Sequence, residues 1–305
     1  MSLLRLEQFA NIYDASVAEV FQVGFASVKD FASEVMHQED LDSSELSVKS
    51  RQYAGPGAWN QRDDALPPLF DNMFESYGVE LTSEEYKNWI QVTLRMVEKD
   101  KMQGRDILNQ ARELGKGAAL KRQQVAAALF NDSFTSDVGG DGVSLINASH
   151  PYATKSPEFG GVQSNVITGA LTDATLATAR TTIMAQVDER GERFLDEETL
   201  ELVVSDSLAD AAMRLVDTRA TDRPNTANRD INVHVGRYNL KVWNRLTSGY
   251  WFLQHPEHKI MIYDRVKPGV SEPIITDTHV LKWAGRASWV CGFHGWRGIV
   301  GSAGA

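Results

Sequence analysis

Few residues in this chain are spaced for chemistry. His255-Pro-Glu-His258 sets two histidines three apart, but Pro256 denies them a helix, and the pattern reads as a solvated turn. Asp137-Val-Gly-Gly-Asp-Gly142 resembles part of a calcium loop, yet it lacks the ladder of oxygen ligands and the closing glutamate. Cys291 with His294 could act as thiol and base. However, Cys291 falls on the apolar side of a strand-like run, where a buried structural cysteine is the commoner use. Ser149 and His150 are neighbours in sequence, which says nothing about a catalytic triad. Nucleotide-binding glycine patterns and a nucleophile elbow are missing from the sequence. Lys116, Lys121 and Arg122 form a small basic cluster that reads as a solvated face or as salt-bridge partners for another subunit. No aromatic platform accompanies them for single-stranded nucleic acid. The expectation is therefore a non-enzyme with no catalytic residue, cofactor or metal site.

Composition sets the frame. The 305 residues allow one large domain or two modest ones. A net charge of −10 argues against a surface built to grip nucleic-acid phosphates throughout. The single cysteine, Cys291, allows no disulfide within the chain and suits a reducing cytoplasm or a non-covalent assembly. The first residues lack the basic-then-apolar pattern of a secretion signal, and no apolar run approaches the roughly 20 residues needed to span a bilayer.

The elements that would hold these residues mix helix and strand. Phe21, Phe25, Val28 and Phe31 recur at helical spacing within about residues 5–40, before an acidic, Ser-rich stretch. Residues 49–80 carry Tyr53 and Trp59 around Gly55-Pro-Gly57, a long aromatic-bearing loop that should order against a partner. Residues 81–97 include a period-2 run through Tyr86, Ile90, Val92, Leu94 and Met96. A helix follows over 101–131, where Gly104, Gly115 and Gly117 either permit close backbone approach or break the helix. Residues 174–187 read as a helix capped by Thr172 or Asp173, 200–204 as a buried strand, and 207–216 as a helix capped by Ser205 or Ser207. Further strands are expected at 238–246 and 250–254. Leu281, Trp283, Ala287, Trp289, Cys291 and Phe293 alternate with Lys282, Arg286, Ser288 and His294 in a long C-terminal strand. Without regular strand–helix alternation, the class is α+β.

In order, EEYKNWIQVTLRMVEKDKM, the helix ending ALFNDSF, DGVSLINASHP, LVVSDSLADAAMRLVDT, NTANRDINV and WRGIVGSAGA make the chain resemble a major capsid protein of tailed bacteriophages, of the Hong Kong 97 type. The resemblance runs from about residue 20 to the terminus. It implies an N-terminal arm over 1–48 and an extended loop over 49–96 that overlaps a neighbouring subunit. It also implies a peripheral domain from 97–170 and 278–305, with a spine helix at 101–131, and an axial domain over 171–277. The implied function is a structural protein that self-assembles into pentamers and hexamers of an icosahedral head enclosing double-stranded DNA. Tyr53, Trp59, Tyr86 and Trp89 are the expected assembly contacts. Implied partners are further copies, a scaffold protein, a portal, decoration proteins and non-specifically held DNA, with no membrane. The implied location is the virion capsid, assembled in the host bacterial cytoplasm. The short arm implies a separate scaffold or a mature form, and no autocatalytic cross-link is expected. An encapsulin-like compartment shell and an unrecognised enzyme are the alternatives.

Overall fold

A computed structural model describes residues 15–54, 73–93, 105–135, 139–152, 161–193, 195–196, 198–217, 232–275 and 280–304. These fall into two compact units, each assembled from separate stretches of chain.

The first unit joins residues up to 48, 81–126 and 261–291. Its sheet is organised by one long strand, Val280–Phe293 (β12). Glu84–Thr93 (β4) pairs antiparallel with it over ten positions, from Val280↔Thr93 to Trp289↔Glu84. Ile260–Val270 (β10) and Ile274–Ile275 (β11) also pair with β12, and the short His37–Asp40 (β1) runs parallel beside β10. β1 carries no sequence signal, because the polar residues His37, Gln38, Glu39 and Asp40 that form it are all exposed and leave no hydrophobic alternation to read. Above the sheet lies the long helix Arg105–Asn131 (α3). Ile107 and Ala111 of α3 pack with Ile90, Val92, Leu281 and Trp283 from the sheet and with Val17 from the helix at 15–26 (α1).

Two glycines make the crossing of α1 and α3 possible. A Cβ on Gly24 would fall on the Arg112 carbonyl, and one on Gly115 on the Phe21 carbonyl. Both obstacles are backbone, so neither can swing aside. The two backbones meet directly, as small residues at a helix interface allow. Gly115 therefore marks a close approach, and α3 runs through it unbroken. Gly117, two residues on, has open space where its Cβ would be. Gly104, like the expected helix start at 101, lies outside the described residues.

Arg122 holds the arm down further along α3. Its guanidinium pairs with Asp30 and, at 2.7 Å, with Asp264 of β10. Asp30 is also the N-cap of the short helix Phe31–Val35 (α2) and accepts from Gln123 at 2.6 Å. Gln38 of β1 donates to Asp264 at 2.7 Å. Arg122 is 3% exposed, so it is a buried ion-pair centre and not part of the solvated basic face expected from the sequence. The expectation failed because helical spacing cannot reveal carboxylates brought in from 92 and 142 residues away. Lys116 and Lys121 do lie toward solvent; Lys116 pairs with Glu113 at 2.7 Å.

The second unit joins 49–80, 127–260 and 292 onward. Leu200–Ser205 (β7) is the buried strand expected there. It pairs parallel with Tyr238–Trp243 (β8) and antiparallel with Trp251–Gln254 (β9), and β9 pairs with Ile299–Ser302 (β13). The helix Asp173–Met184 (α4) opens with a capping box between Thr172 and Thr175, as its sequence suggests. Leu176, Ala179 and Ile183 of α4 enter the core with Leu202, Val204, Trp251 and Val300. Ser205 and Ser207 do not cap the helix Ala209–Val216 (α5); a short 3-10 turn, Asp206–Leu208, intervenes. Both hydroxyls instead accept from the Gly249 amide at 3.1 Å. On β12, Ser288 is buried against the sequence expectation, because its hydroxyl donates to the Glu84 carbonyl at 2.9 Å.

The two glycines of α3 give opposite predictions for one substitution. Gly117→Ala should stabilise the unassembled subunit by about 1 kcal/mol, the helix-propensity difference. Gly115→Ala should destabilise it by about 2 kcal/mol, the scale of overpacking against fixed atoms. Thermal unfolding followed by circular dichroism separates the two. Removing the cation of the triad is a second test. Burial raises the Asp264 pKa despite the attraction of Arg122, so its folded value exceeds its unfolded one. Its contribution to stability is thus full at acid pH and is lost as pH rises through the raised value. Arg122→Leu should cost about 3–5 kcal/mol at neutral pH and less at pH 5, read from urea unfolding at both.

Candidate assembly surfaces

The sequence signal at Tyr53 falls on a two-stranded ribbon, Ser47–Ala54 (β2) with Phe74–Thr82 (β3). Its faces are largely open. Tyr53 and Met73 are 58% and 64% exposed. Exposed cross-strand pairs, Lys49–Glu80 at 3.4 Å and Arg51–Glu75 at 2.9 Å, hold the strands in register. Such pairs are worth at most about 1 kcal/mol each. An isolated two-stranded ribbon is marginal in water, so this one must be held at its inner side.

A buried polar hub does that. Gln52 donates to the His294 carbonyl at 2.6 Å. Tyr77 of β3 is buried, and its hydroxyl accepts from Arg297 at 3.3 Å. The same guanidinium donates to Glu189 at 2.7 Å, to the Val187 carbonyl at 2.8 Å and to the Tyr152 carbonyl at 2.9 Å. Burial, its largest cause, raises the Tyr77 pKa and keeps the phenol protonated. Gly140 touches the ribbon so closely that a Cβ would strike the Gly78 carbonyl.

Residues of DGVSLINASHP complete the hub. His150 Nδ1 lies 2.7 Å from Asp141 Oδ2, both side chains being almost wholly buried, and the imidazole stacks on Trp296 at 4.3 Å. Its true partner is thus the aspartate nine residues earlier and not the adjacent serine. Ser149 instead donates its amide to Asn147 Oδ1 at 2.9 Å. Among the described residues, His150 Nε2 has no hydrogen-bond partner. Asn165 ties the segment together, donating to the Leu145 carbonyl at 2.8 Å and accepting from the Asn147 amide at 2.7 Å. Asp141, placed here, contributes to an internal pair and not to an ion loop.

The other candidate chemistry also becomes structural. His255 and His258 are buried, contrary to the solvated turn expected; their Nδ1 atoms accept from the Glu257 and Ile260 amides at 3.1 and 3.2 Å. The turn is built by local side-chain-to-backbone bonds that the His-Pro-Glu-His spacing does not announce. Among the described residues, no group of three His, Cys, Asp or Glu side chains could hold a metal ion. Burial pushes the Cys291 thiol up to about 12, which disfavours the thiolate a nucleophile needs. Among the described residues, no helix is long and apolar enough to cross a membrane.

The four expected contact residues separate by environment. Tyr53 is exposed on the ribbon. Trp89, on β4, is 63% exposed with the Lys282 ammonium 4.8 Å from its ring centre. Tyr86 is half-buried, stacks on Trp289 at 4.4 Å and donates to Glu84 at 2.8 Å. Trp59 lies outside the described residues.

An open ribbon, a long helix laid on a sheet, and a compact mixed unit define a shell-subunit type of fold, and known proteins bear this out. A family model described as phage capsid protein matches residues 77–302. The chain belongs to the phage capsid protein family and is a structural capsid protein. No curated protein matches it. Solved structures share the fold at low identity. A chain from Mycobacterium phage Che8 is 11% identical, with a TM-score of 0.56 over 90% of this chain and 92% of that one. The mature capsid of bacteriophage PhiM1 gives 11% identity and a TM-score of 0.59 over 90% and 87%. A virus-like particle from Pyrococcus furiosus gives 7% and 0.52 over 94% and 98%.

The hub at the ribbon's inner side is directly testable. Arg297→Met should leave Glu189 buried without its cation and destabilise the subunit by about 3 kcal/mol or more. Hydrogen exchange should then rise first in residues 74–80, before the four-stranded sheet.

Proposed function

We propose that this chain forms the shell of a tailed-phage head, as pentamers and hexamers around double-stranded DNA. The observation that carries the reading is the ribbon of Ser47–Ala54 and Phe74–Thr82, held on its inner side and largely open on its outer faces, within a chain of the phage capsid protein family. Surface of this kind on a self-assembling subunit is covered by other copies.

The ribbon takes the role of the extended loop. Residues 84–93, which the sequence reading also placed in that loop, are paired along β12 and belong with the sheet. α3 takes the role of the spine helix, and the sheet beneath it, centred on β12, that of the peripheral domain. The four-stranded sheet with α4 and α5 takes the role of the axial domain. Tyr53, Trp59 and Trp89 are the intersubunit contacts; Tyr86 supports them from inside by its stack on Trp289. A separate scaffold protein, a portal and decoration proteins complete the particle, which is built in the bacterial cytoplasm. The acidic chain, at −10, holds packaged DNA loosely.

A second reading is an encapsulin-like compartment shell, favoured by the likeness to the Pyrococcus furiosus particle. Neighbouring genes for a portal and terminase, as opposed to a cargo enzyme, decide between them.

Tyr53→Ala, at an exposed position, should reduce shell formation on a sizing column while leaving the subunit melt within about 0.5 kcal/mol, and Trp59→Ala should likewise weaken assembly more than subunit folding. Equal losses in both assays would contradict the ribbon's role.

A further inference from the structure

A cavity of about 330 Å³ lies within the first unit, between α3 and the sheet. Clefts that hold small organic molecules run from about 300 to 1,000 Å³. The cavity follows from the packing around it. The Gly115 contact brings Phe21 of α1 against α3, and Phe21 lines the cavity. Leu114 and Ala118 of α3, Pro268 of β10 and Ala287 of β12 add apolar wall. The stacked Tyr86 and Trp289 supply its aromatic side. Gly117 leaves the helix side unfilled, since a Cβ there would meet nothing within 4 Å. Gly117 and Lys121 are both exposed, so solvent reaches the cavity along α3.

The charges on this lining do not balance. Lys87, Lys121 and Arg286 line it together with one carboxylate, Glu113. Glu113 is taken by Lys116 at 2.7 Å, and Lys87 and Arg286 share Glu85. Lys121 has no carboxylate partner among the described residues; its ammonium lies 5.8 Å from the Tyr86 ring centre. Trp289 is 1% exposed, and its indole N–H has no acceptor. A buried donor without an acceptor costs free energy. An unmatched ammonium over an aromatic wall, with an unpaired indole N–H beside it, suits an occupant with anionic oxygens and an apolar body.

We propose that this cavity binds a small amphipathic organic anion, a carboxylate or sulfonate carried on an apolar body. The anionic oxygens accept from Lys121, and the apolar body lies against Tyr86, Leu114 and Ala118. The chain carries −10 overall, so it is this local cluster of cations, and not the protein as a whole, that selects an anion. A molecule seated here touches helix and sheet at once and stabilises the first unit by mass action. The site needs only the folded first unit, so it stands or falls independently of the shell reading.

The test uses the purified full chain with anilinonaphthalene sulfonate as a fluorescent probe, and with octanoate and its uncharged counterpart octanol as competitors. Wild type should bind the sulfonate saturably, and octanoate should displace it at concentrations roughly tenfold below octanol, the scale of one charge-assisted hydrogen bond. Gly117→Leu fills the cavity from a position with free space, and Lys121→Glu reverses its unmatched charge; each should weaken sulfonate binding roughly tenfold or more. Lys121→Arg keeps the charge and should bind within about threefold of wild type. Octanoate should raise the melting temperature of wild type but not of Gly117→Leu. Equal binding by wild type and Gly117→Leu would put the probe elsewhere on the chain and overturn the proposal. Undiminished binding by Lys121→Glu, or equal displacement by octanoate and octanol, would overturn the anion as the ligand.

Discussion

The contact on which the first unit depends is the meeting of two backbones at Gly24 and Gly115. Without a side chain at either position, α1 lies directly against α3. That proximity brings Val17 into the core with Ile107, Ala111, Leu281 and Trp283. It also fits the placement of Asp30, a few residues beyond α1, beside Arg122 on the same helix. The packing is apolar at one end and ionic at the other. The glycines act through shape, which does not depend on pH; the triad acts through charge, which does. The close approach of α1 and α3 is therefore the same at every pH, while the contribution of Asp264 at the ionic end falls as pH rises through its raised value.

The second unit solves a different problem. Its two-stranded ribbon, with Tyr53 exposed among cross-strand ion pairs, is marginal alone. Arg297 anchors it by donating to Glu189, Tyr77 and two backbone carbonyls. The Asp141–His150 pair, stacked on Trp296 beside Arg297, extends this buried polar network. Buried polar groups with several partners fix one arrangement and are costly to break singly. The ribbon is thus presented by a rigid support.

What was legible from sequence follows the range of the interactions. The alternation of β12, the buried run at 200–204 and the Thr172 cap are written within a few residues of themselves, and all are present. The glycines of α3 were visible, but their two meanings were not separable until α1 was found against Gly115 and open space against Gly117. Arg122 was read as a surface cation because its carboxylates lie far away in sequence. The adjacency of Ser149 and His150 carries no pairing, and the fold sets His150 against Asp141. Of the expected contact residues, Tyr53 and Trp89 are exposed, while Tyr86 is engaged with Trp289. Aromatic residues in a loop-rich stretch signal burial against something, but not whether that something belongs to the same chain.

The absence of motif chemistry in DGVSLINASHP and WRGIVGSAGA has a physical meaning here. Asp141, His150, Trp296 and Arg297 serve to position backbone and hold a ribbon, a use that leaves no spacing rule to find. Work done by shape is legible only in the assembled object. The most direct measurement is therefore electron microscopy of the purified protein, expressed alone and with the scaffold candidate from its gene neighbourhood. Closed, uniform icosahedral particles with the ribbon of each subunit covered by its neighbour are the expected result; uniform small monomers under every condition would contradict the shell reading.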